Sequence, residues 1–336
     1  MKEKRGDGFV NLVEVPQPEA KEGEVLVKVG YAGICGSDIN ILHDRFPSYA
    51  VPVVMGHEFA GTVEQVGNGV EGFTPGERIV CETHAFVCNN CTYCRTGLYN
   101  LCSQRKGFGY GVDGAFTKFV GVRKGIIHKL PEEIPLREAA VLEPLSVVVN
   151  ALTRNSRIGE GESVMVLGPG PIGLLSLQVA RLLGGRVTVV GTERSKGRLQ
   201  VAKKLGADSV MTDAQLEEGL AGGSLGDFFD VVIIATGQAS SFETALKAVK
   251  KNGRIIHLGE STDRASFQFS MIERKNVNIQ GSFSHNWPVW ETAITLVKDA
   301  KVDVGSLISH ELPLAKWKDA FELVESRAGV KVLIMP

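Results

Sequence analysis

The sequence predicts an α/β protein made of two parts, a β-rich first part and a doubly wound parallel sheet. In the first 145 residues or so, short apolar runs such as EVLVKV and GTVEQV alternate with Gly, Pro and Asn, which is typical of short strands joined by loops. From about residue 160, strand-like and helix-like patterns alternate, in SVMVLG, IGLLSLQVARLLG, RVTVVG and RLQVAKKLGA. This alternation predicts a parallel sheet with helices on both faces.

The alternating pattern continues to about residue 284, through FDVVIIATG, SFETALKAVKK, GRIIHLG and VNIQGSF. Two further helix-like stretches follow, WPVWETAITLVKDA and LAKWKDAFELVE, and KVLIMP predicts a final strand. Residues 219–227, GLAGGSLGD, predict a surface loop because they are rich in glycine.

Length and charge limit the classes of partner. A chain of 336 residues buries a core without disulfides, and 37 Lys and Arg nearly balance 38 Asp and Glu. No long run of one sign appears, and Arg95, Arg105 and Lys106 are too few for a nucleic-acid footprint. We therefore expect a small, uncharged partner and neither nucleic acid nor membrane.

Whether the cysteines form disulfides or bind a metal depends on the compartment in which the protein is expected. MKEKRGDGFV lacks the apolar stretch of a secretory signal, and no segment approaches the ~20 apolar residues that cross a bilayer. A cytoplasmic location is therefore expected. In that reducing compartment, clustered cysteines are more often metal ligands or catalytic groups than disulfides.

A glycine-rich turn, GPGPIG, follows a strand pattern and opens a helix pattern, which is the context that a dinucleotide site requires. Gly168 permits the tight turn, Gly170 lets a pyrophosphate approach the backbone, and Gly173 lets helix and strand pack closely. The helix N-terminus, with Pro171 and Ile172, then faces the anion, and a proline in the first turn costs no hydrogen bond.

The carboxylate after the next strand indicates the cofactor. Glu193 lies 20 residues after Gly173, where a carboxylate accepts hydrogen bonds from an adenosine ribose. An anion there repels the 2′-phosphate of NADP and so indicates NAD, although the neighbouring Arg194 offsets part of this repulsion. The alternative interpretation is a helix-capping glycine turn followed by a solvated glutamate.

Three types of metal ligand occur in the first part. Cys35 lies in GYAGICGSD, His57 and Glu58 lie in VVMGHEFAG, and Glu143 lies in LEPLSVVV. Adjacent His and Glu cannot both face one way on a strand, but a bend introduced by glycine can bring them to one ion. Thiolate, imidazole and carboxylate form the donor set of a catalytic zinc, which takes three protein ligands and keeps one open position. Taken singly, each residue is better explained by ordinary packing or a surface charge.

Together these stretches resemble the zinc-dependent medium-chain dehydrogenase/reductase family, and most closely its polyol (sorbitol-type) dehydrogenase branch. The resemblance rests on GYAGICGSD, GHEFAGTVEQVG, the cysteine loop that ends in GLYNLC, LEPLSV, GPGPIG and NIQGSF, in the family's order. It implies a GroES-like β-rich catalytic domain built from residues 1–145 and 285–336. A Rossmann NAD-binding domain, residues 146–284, is inserted between them.

The resemblance implies an NAD-dependent secondary-alcohol dehydrogenase with one catalytic and one structural zinc per chain, as a homodimer or homotetramer. Cys35, His57 and Glu58 would bind the catalytic zinc. Glu143 would be a mobile fourth ligand that binds directly, binds through water or exchanges with Glu58.

The four cysteines of VCNNCTYCRTGLYNLC match the family's structural zinc loop, at about residues 81–106. The spacing itself suits this role, because a two-residue gap lets neighbouring thiolates turn onto one ion and the wider last gap closes a tetrahedron. The alternative is a set of reduced free thiols. The predicted ligands are Cys88, Cys91, Cys94 and Cys102. Cys81 is predicted to pack as an apolar side chain.

Other roles follow from the matched positions. Ser37 matches the hydroxyl that takes the alcohol proton, Asp38 matches a carboxylate that orients the ligand histidine, and Lys331 falls where relatives often place a cation near the cofactor phosphates. A solvated lysine is the alternative for Lys331. Where many relatives have a histidine that completes a proton path, this chain has Asn40, so His43, a water chain or the cofactor ribose must replace it.

His43 is equally well explained as an ordinary surface histidine. Ser282, His285 and Trp287 are predicted to border the substrate mouth, with core packing as the preferred role of Trp287.

Two competing functions remain at this stage. L-threonine 3-dehydrogenase shares both zinc patterns, although LEPLSVVV resembles the polyol enzymes more closely. A catalytically silent, NAD-binding and zinc-stabilised interaction protein is the alternative from another class. Cys35, Ser37, His57 and Glu58 argue against it, because a protein that only binds has no need of an open metal position beside a nicotinamide pocket.

Overall fold

The computed structural model describes residues 1–225, 228–261 and 263–336. They form two compact units, which are described one at a time. The first unit contains residues 1–146, 285–299 and 308–336, and the second contains residues 147–284 and 300–307. Residues 300–307, which the sequence assigns to the catalytic part, therefore lie with the second unit.

The strands and helices are numbered here in chain order. The strands are β1 Glu24–Gly33, β2 Glu58–Val66, β3 Arg78–Cys81, β4 Phe119–Arg123, β5 Ile127–Lys129, β6 Ser163–Leu167, β7 Arg186–Gly191, β8 Ser209–Thr212, β9 Phe229–Ile234, β10 Val249–His257, β11 Asn278–Gly281, β12 Ile308–Pro313 and β13 Lys331–Met335. The helices are α1 Gly36–Leu42, α2 Thr92–Arg95, α3 Leu136–Ala139, α4 Leu142–Val149, α5 Pro171–Leu182, α6 Lys196–Lys204, α7 Asp213–Ala221, α8 Ser240–Ala248, α9 Ser270–Lys275, α10 Trp287–Lys298 and α11 Trp317–Glu325.

The first unit is built on a largely antiparallel sheet. Its order is β12-β13-β1-β2-β3-β5, and β4 pairs with β1. The long strand β1 pairs with β2 from Val25↔Val66 to Gly33↔Glu58, and its end also pairs with β13. This register places the end of β1 and the start of β2 side by side. The buried side chains of the sheet include Val25, Val27, Phe59, Ile79, Cys81, Val120 and Ile127.

The second unit is a parallel sheet of order β11-β10-β9-β6-β7-β8, with helices between successive strands. The central strand β6 is apolar on both faces, and its Val164, Met165 and Val166 have no exposed surface. This is the sheet that the alternating pattern predicts, because a parallel sheet covered on both faces needs continuous apolar strands. Both predicted architectures, the β-rich domain and the Rossmann-type domain, are confirmed.

The predicted loop at residues 219–227 needs one correction. Its first three residues belong to α7, which ends at Ala221, and residues 226 and 227 lie outside the described part of the chain. Among the described residues, none of the helices has the length and the apolar character that a bilayer crossing requires.

Candidate active site

The end of β1 and the start of β2 bring three metal-ligand types together. Cys35 lies two residues after β1 and precedes α1, while Glu58 is the first residue of β2 and pairs with Gly33. One ligand atom from each of Cys35, His57 and Glu58 lies within 4.8 Å of the other two. His57 and Glu58 are buried and Cys35 is half-buried.

A glycine bend lets adjacent His57 and Glu58 reach one point. Gly56 has a backbone φ of +94°, which non-glycine residues rarely adopt, and a Cβ there would lie 2.5 Å from the ring of Phe116. The chain therefore turns immediately before His57 and enters β2 at Glu58. The sequence predicts such a bend at a glycine, because without it His57 and Glu58 could not face one ion.

Polar neighbours surround His57 on both ring nitrogens. Ser37 Oγ lies 3.4 Å from His57 Nε2, and Asp38 Oδ1 lies 3.7 Å from His57 Nδ1. The other carboxylate oxygen of Asp38 accepts a hydrogen bond of 2.9 Å from the backbone N–H of Cys35. Burial lowers the pKa of His57, but the Asp38 carboxylate and the Cys35 thiol outweigh burial and hold the pKa well above its ordinary value.

The buried polar atoms of this group fit a metal ion. His57 Nδ1 and Asp38 Oδ1 lie 3.7 Å apart, so this buried carboxylate orients the imidazole ring, as carboxylates do for histidines that bind a metal. Together with the donor set of sulfur, nitrogen and oxygen, this is the chemistry that zinc binds. Three protein ligands leave a fourth tetrahedral position, which is the feature of a catalytic site.

Glu143 lies next to this group but outside it. It is the second residue of α4, it is 8% exposed, and its Oε1 lies 3.1 Å from Nε2 of His285. Burial raises the pKa of Glu143, but the hydrogen bond from His285 outweighs burial and lowers the pKa below its usual range. Its role as a mobile fourth ligand stays a prediction.

Lys331 is buried in the first unit. As the first residue of β13 it is 2% exposed, its ammonium forms an ion pair with Glu58, and it donates a hydrogen bond of 3.2 Å to the carbonyl of Ile34. Burial lowers its pKa, but the charge of Glu58 outweighs burial and raises the pKa. Lys331 is thus neither a solvated lysine nor a surface cation, and its observed partner is a candidate metal ligand.

His43 belongs to a surface contact. It follows α1, and its two ring nitrogens lie 2.7 Å from a carboxylate oxygen of Asp7 and 2.6 Å from one of Glu325. Carboxylates only accept hydrogen bonds, so both nitrogens must carry protons and the ring is an imidazolium. Burial opposes the charge, but the Glu325 and Asp7 hydrogen bonds raise the pKa of His43. These contacts favour the surface interpretation of His43 over a role in the proton path.

The stability of the fold is expected to fall slightly as pH rises because of His43. Its folded-state pKa is raised above 6.5, so its stabilisation is complete below about pH 6.5 and is lost as pH rises through the folded-state pKa. Since the partners are partly exposed, we expect the melting temperature to decrease by roughly 1–3 °C. Thermal unfolding between pH 6 and 9 checks this. His43→Gln should remove the decrease and His310→Gln should keep it; the opposite pattern would contradict the assignment.

The four clustered cysteines form a second group of ligands. The sulfurs of Cys88, Cys91, Cys94 and Cys102 lie within 4.8 Å of one another. The Cys88 sulfur lies 3.8 Å from that of Cys94 and 3.6 Å from that of Cys102, and all six cysteines are unbridged. Backbone N–H groups of Asn90 and Cys91 lower the pKa of Cys88 to about 6. A thiolate-only set with no water position is typical of structural zinc.

The lobe that carries these cysteines is hydrogen-bonded to residues 286 and 287, near the point where the chain returns to the first unit. The Tyr99 hydroxyl accepts a hydrogen bond of 2.6 Å from the backbone N–H of Trp287, and the Asn286 side chain donates to the carbonyl of Gly97 at 3.0 Å. The lobe therefore fixes the backbone next to His285, the partner of Glu143. Cys81, the remaining thiol, is 1% exposed within the apolar core, as predicted.

In the second unit, the glycine turn has the geometry of a phosphate-binding turn. Gly168 has a φ of +101°, and a Cβ on Gly173 would lie 1.8 Å from the carbonyl oxygen of Gly168. A Cβ on Gly170 would meet no atom within 4 Å, so this backbone is open to approach. The helix α5 begins at Pro171 immediately after the turn. The predicted division of roles among the three glycines agrees with these contacts.

The predicted ribose ligand lies beyond β7. Glu193 begins a short 3₁₀ turn, its side chain is 62% exposed, and it forms an ion pair with Lys196. Arg194 is exposed. Both side chains can therefore meet a cofactor without rearrangement of the core.

Comparison with known proteins decides the family. The model of the "Alcohol dehydrogenase GroES-like domain" matches residues 21–132, and that of the "Zinc-binding dehydrogenase" matches residues 171–299. The chain is 36% identical to a sorbitol dehydrogenase of Halalkalibacterium halodurans over 100% of this chain and 98% of that one. It belongs to the zinc-dependent medium-chain dehydrogenase/reductase family.

Other members of this medium-chain dehydrogenase family are named for other substrates. An L-threonine 3-dehydrogenase of Pyrococcus horikoshii is 35% identical, over 100% of this chain and 97% of that one. The crystal structure of galactitol-1-phosphate dehydrogenase from Escherichia coli has a TM-score of 0.88 and 28% identity, over 98% of both chains. This dehydrogenase thus shares a fold and family with enzymes named for quite different alcohols.

Sequence reasoning missed part of this dehydrogenase's site. Trp287, for which core packing was preferred, is 38% exposed and stacks on His128, whereas Trp290 is 1% exposed. Trp290 donates a hydrogen bond to His285. Only the helical period of α10 could have indicated the difference, since Trp290 lies on the buried face with Val289 and Ala293.

Proposed function

We propose that the protein is an NAD-dependent zinc dehydrogenase that transfers a hydride between a secondary alcohol and NAD, with a polyol, inositol or sugar-derived alcohol as substrate. The single observation that carries the proposal is the group of Cys35, His57 and Glu58, with ligand atoms within 4.8 Å of one another. A thiol, an imidazole and a carboxylate leave one position for a substrate oxygen. A silent binding protein has no use for such a position.

The ligands of the two metal ions are assigned as follows. Cys35, His57 and Glu58 bind the catalytic zinc, and Glu143 stands beside them. A zinc ion bound there supplies Lewis acidity, which lowers the pKa of an alcohol hydroxyl as it lowers that of water to ~7. The structural zinc is bound by Cys88, Cys91, Cys94 and Cys102.

Three further side chains assist the reaction. Ser37 takes the proton of the substrate hydroxyl at Oγ and gives its own proton to a water chain or to the cofactor ribose, and its contact with His57 at 3.4 Å supports this role. Asp38 holds the ring orientation of His57. Lys331, instead of binding cofactor phosphates as first predicted, neutralises and orients Glu58.

The cofactor is held by the second unit. NAD supplies the hydride acceptor of the reaction. The backbone at Gly170 and the N-terminus of α5 bind the pyrophosphate, because the free N–H groups and the helix dipole favour an anion there. Glu193 accepts hydrogen bonds from the adenosine ribose and disfavours the 2′-phosphate of NADP.

Replacement of Glu193 by alanine is expected to weaken NAD binding and to relax the discrimination against NADP. Loss of a charge-assisted hydrogen bond costs ~1.5–3 kcal/mol, which corresponds to a roughly 10- to 100-fold higher Kd for NAD. Fluorescence titration with NADH and NADPH measures both values. Glu217→Ala, an exposed glutamate on α7, is the matched control and should change neither. Unchanged NADH affinity in Glu193→Ala would remove Glu193 from the cofactor site.

A substrate panel tests the function. Polyols, phosphorylated polyols, inositols, sugar acids and L-threonine are offered to the zinc-loaded enzyme, with NAD and NADP in parallel, and NADH absorbance is recorded. We expect turnover with a polyol, an inositol or a sugar-derived alcohol and NAD. Preference for threonine would establish the alternative, L-threonine 3-dehydrogenase. No turnover across the panel would favour the NAD-binding, zinc-stabilised interaction protein.

The proposal includes an assembly and a location. Strand β11 is an exposed edge of its sheet, and members of the family are usually dimers or tetramers. Both points support a homodimer or homotetramer. Six unbridged cysteines, four of them assigned as thiolate ligands, support a reducing, cytoplasmic location.

A further inference from the structure

A buried hydrogen-bond chain ends on Glu143. His285 Nε2 lies 3.1 Å from Glu143 Oε1, and the indole Nε1 of Trp290 donates a hydrogen bond of 2.9 Å to His285 Nδ1. His285 has no exposed surface and Trp290 is 1% exposed. We propose that His285 is a positioning residue that holds Glu143 beside the metal ligands, in a tautomer fixed by Trp290. This inference rests on the proposed function.

The tautomer follows from the donors. An indole N–H can only donate, so Nδ1 of His285 must be the acceptor and carries no proton. The proton of the neutral ring is therefore on Nε2, and this N–H donates to the carboxylate of Glu143. Both ring nitrogens are thereby assigned by their partners, and the direction of each hydrogen bond is determined.

The backbone of His285 is fixed in the same way. Its carbonyl accepts a hydrogen bond of 2.8 Å from Nε2 of His84, whose Nδ1 accepts one of 2.6 Å from Nε of Arg105. Arginine is always a donor, so His84 carries its proton on Nε2. Burial, together with the charge of Arg105, keeps the pKa of His84 well below its ordinary value, in agreement with a neutral ring.

The same residues could be taken for a third metal site, because atoms of Glu82, His84 and His285 lie within 4.8 Å of one another. The hydrogen bonds argue against it. Each imidazole has its proton on Nε2 and its lone pair on Nδ1 already engaged, and the Tyr99 hydroxyl lies 2.8 Å from both carboxylate oxygens of Glu82. A ligand nitrogen must present a free lone pair. The group therefore orients its neighbours and does not bind an ion.

The consequence for the site concerns Glu143. Its charge is close enough to affect the pKa values of His57 and Glu58, yet it lies outside the three-ligand group. A carboxylate so near a metal would rotate toward it unless one oxygen were held. His285 holds Oε1, and so keeps Glu143 next to the metal ligands without making it a permanent one.

Three variants and one control test the inference in zinc-loaded protein. His285→Phe removes the donor, His285→Gln keeps an N–H donor, and Trp290→Phe removes the group that fixes the tautomer. His310→Gln is the control, since His310 is a histidine of the same unit that lies on β12, outside this chain of hydrogen bonds. We expect His285→Phe to lower kcat roughly 10- to 100-fold, with the Kd for NADH unchanged. His285→Gln should restore most of the activity, and His310→Gln should behave as the parent.

Two further measurements do not depend on activity. The ¹⁵N resonances of His285, assigned by their loss in His285→Gln, should show a protonated Nε2 and a bare Nδ1, and Trp290→Phe should change the Nδ1 resonance because that nitrogen loses its hydrogen-bond donor. In protein whose catalytic site holds cobalt(II), the visible absorption should change in His285→Phe and not in His310→Gln.

A protonated Nδ1 in the parent protein, or a full kcat and an unchanged cobalt spectrum in both His285→Phe and Trp290→Phe, would overturn the inference. If the parent oxidises no alcohol of the panel, the proposed function fails, while the ¹⁵N and cobalt measurements still decide the role of His285.

Discussion

Replacement of Cys35 by serine is expected to abolish turnover while NAD binding stays intact. A serine hydroxyl is neutral at pH 7 and does not replace a thiolate as a zinc ligand. The Lewis acidity of the ion is worth several kcal/mol, so we expect kcat to fall by at least about 10³-fold. The zinc content should fall by one ion per chain, and the Kd for NADH should not change, because its assigned ligands lie in the other unit.

The matched control for Cys35→Ser is Cys81→Ala. Cys81 is a buried thiol of the same unit and belongs to the apolar core instead of a ligand group. Its replacement should cost stability but retain both zinc ions and kcat. Full activity in a Cys35→Ser protein that has lost one zinc would refute the catalytic role of the ion.

Replacement of Cys94 by serine is expected to remove the other zinc and to destabilise the lobe at about residues 81–106. A structural zinc supplies an apparent ~10–16 kcal/mol in zinc-finger peptides. If even about 4 kcal/mol of this stabilises the present fold, the melting temperature should decrease by roughly 8–16 °C. Calorimetry and metal analysis measure the two effects.

The loss of this zinc should also reduce turnover. The lobe fixes the backbone at Asn286 and Trp287 through Gly97 and Tyr99, and this backbone carries His285. Thr92→Ala, an exposed residue of α2 between two of the cysteines, is the control and should behave as the parent. A Cys94→Ser protein with both zinc ions and an unchanged melting temperature would contradict the structural role.

The features of the candidate site that the sequence brings together by spacing alone are short-range. The three glycines at residues 168, 170 and 173, the four cysteines and the His57-Glu58 pair each lie within 15 consecutive residues. Because these residues are close in sequence, their backbones must lie close together in any fold. The alternation of strands and helices likewise predicts the parallel sheet from local periodicity.

The contacts that the sequence does not predict join residues that are far apart in the chain. The partner of Glu143 is His285, 142 residues away, and the partner of Lys331 is Glu58. His43 reaches Glu325 across 282 residues. Such contacts follow from strand order and from how α10 and α11 pack, which no local pattern of residues specifies. The assignment of residues 300–307 to the second unit has the same origin.

The position of β13 in the sheet has a consequence for the order of folding during synthesis. This strand pairs with β1 and carries the lysine that contacts Glu58, although residues 331–335 are translated about 300 residues after β1. All residues of the dinucleotide-binding unit, up to residue 307, are made earlier. Since domains fold as units while the chain is made, that unit can fold first, and the zinc-binding unit must wait with an unpaired strand edge until its last strand has been translated.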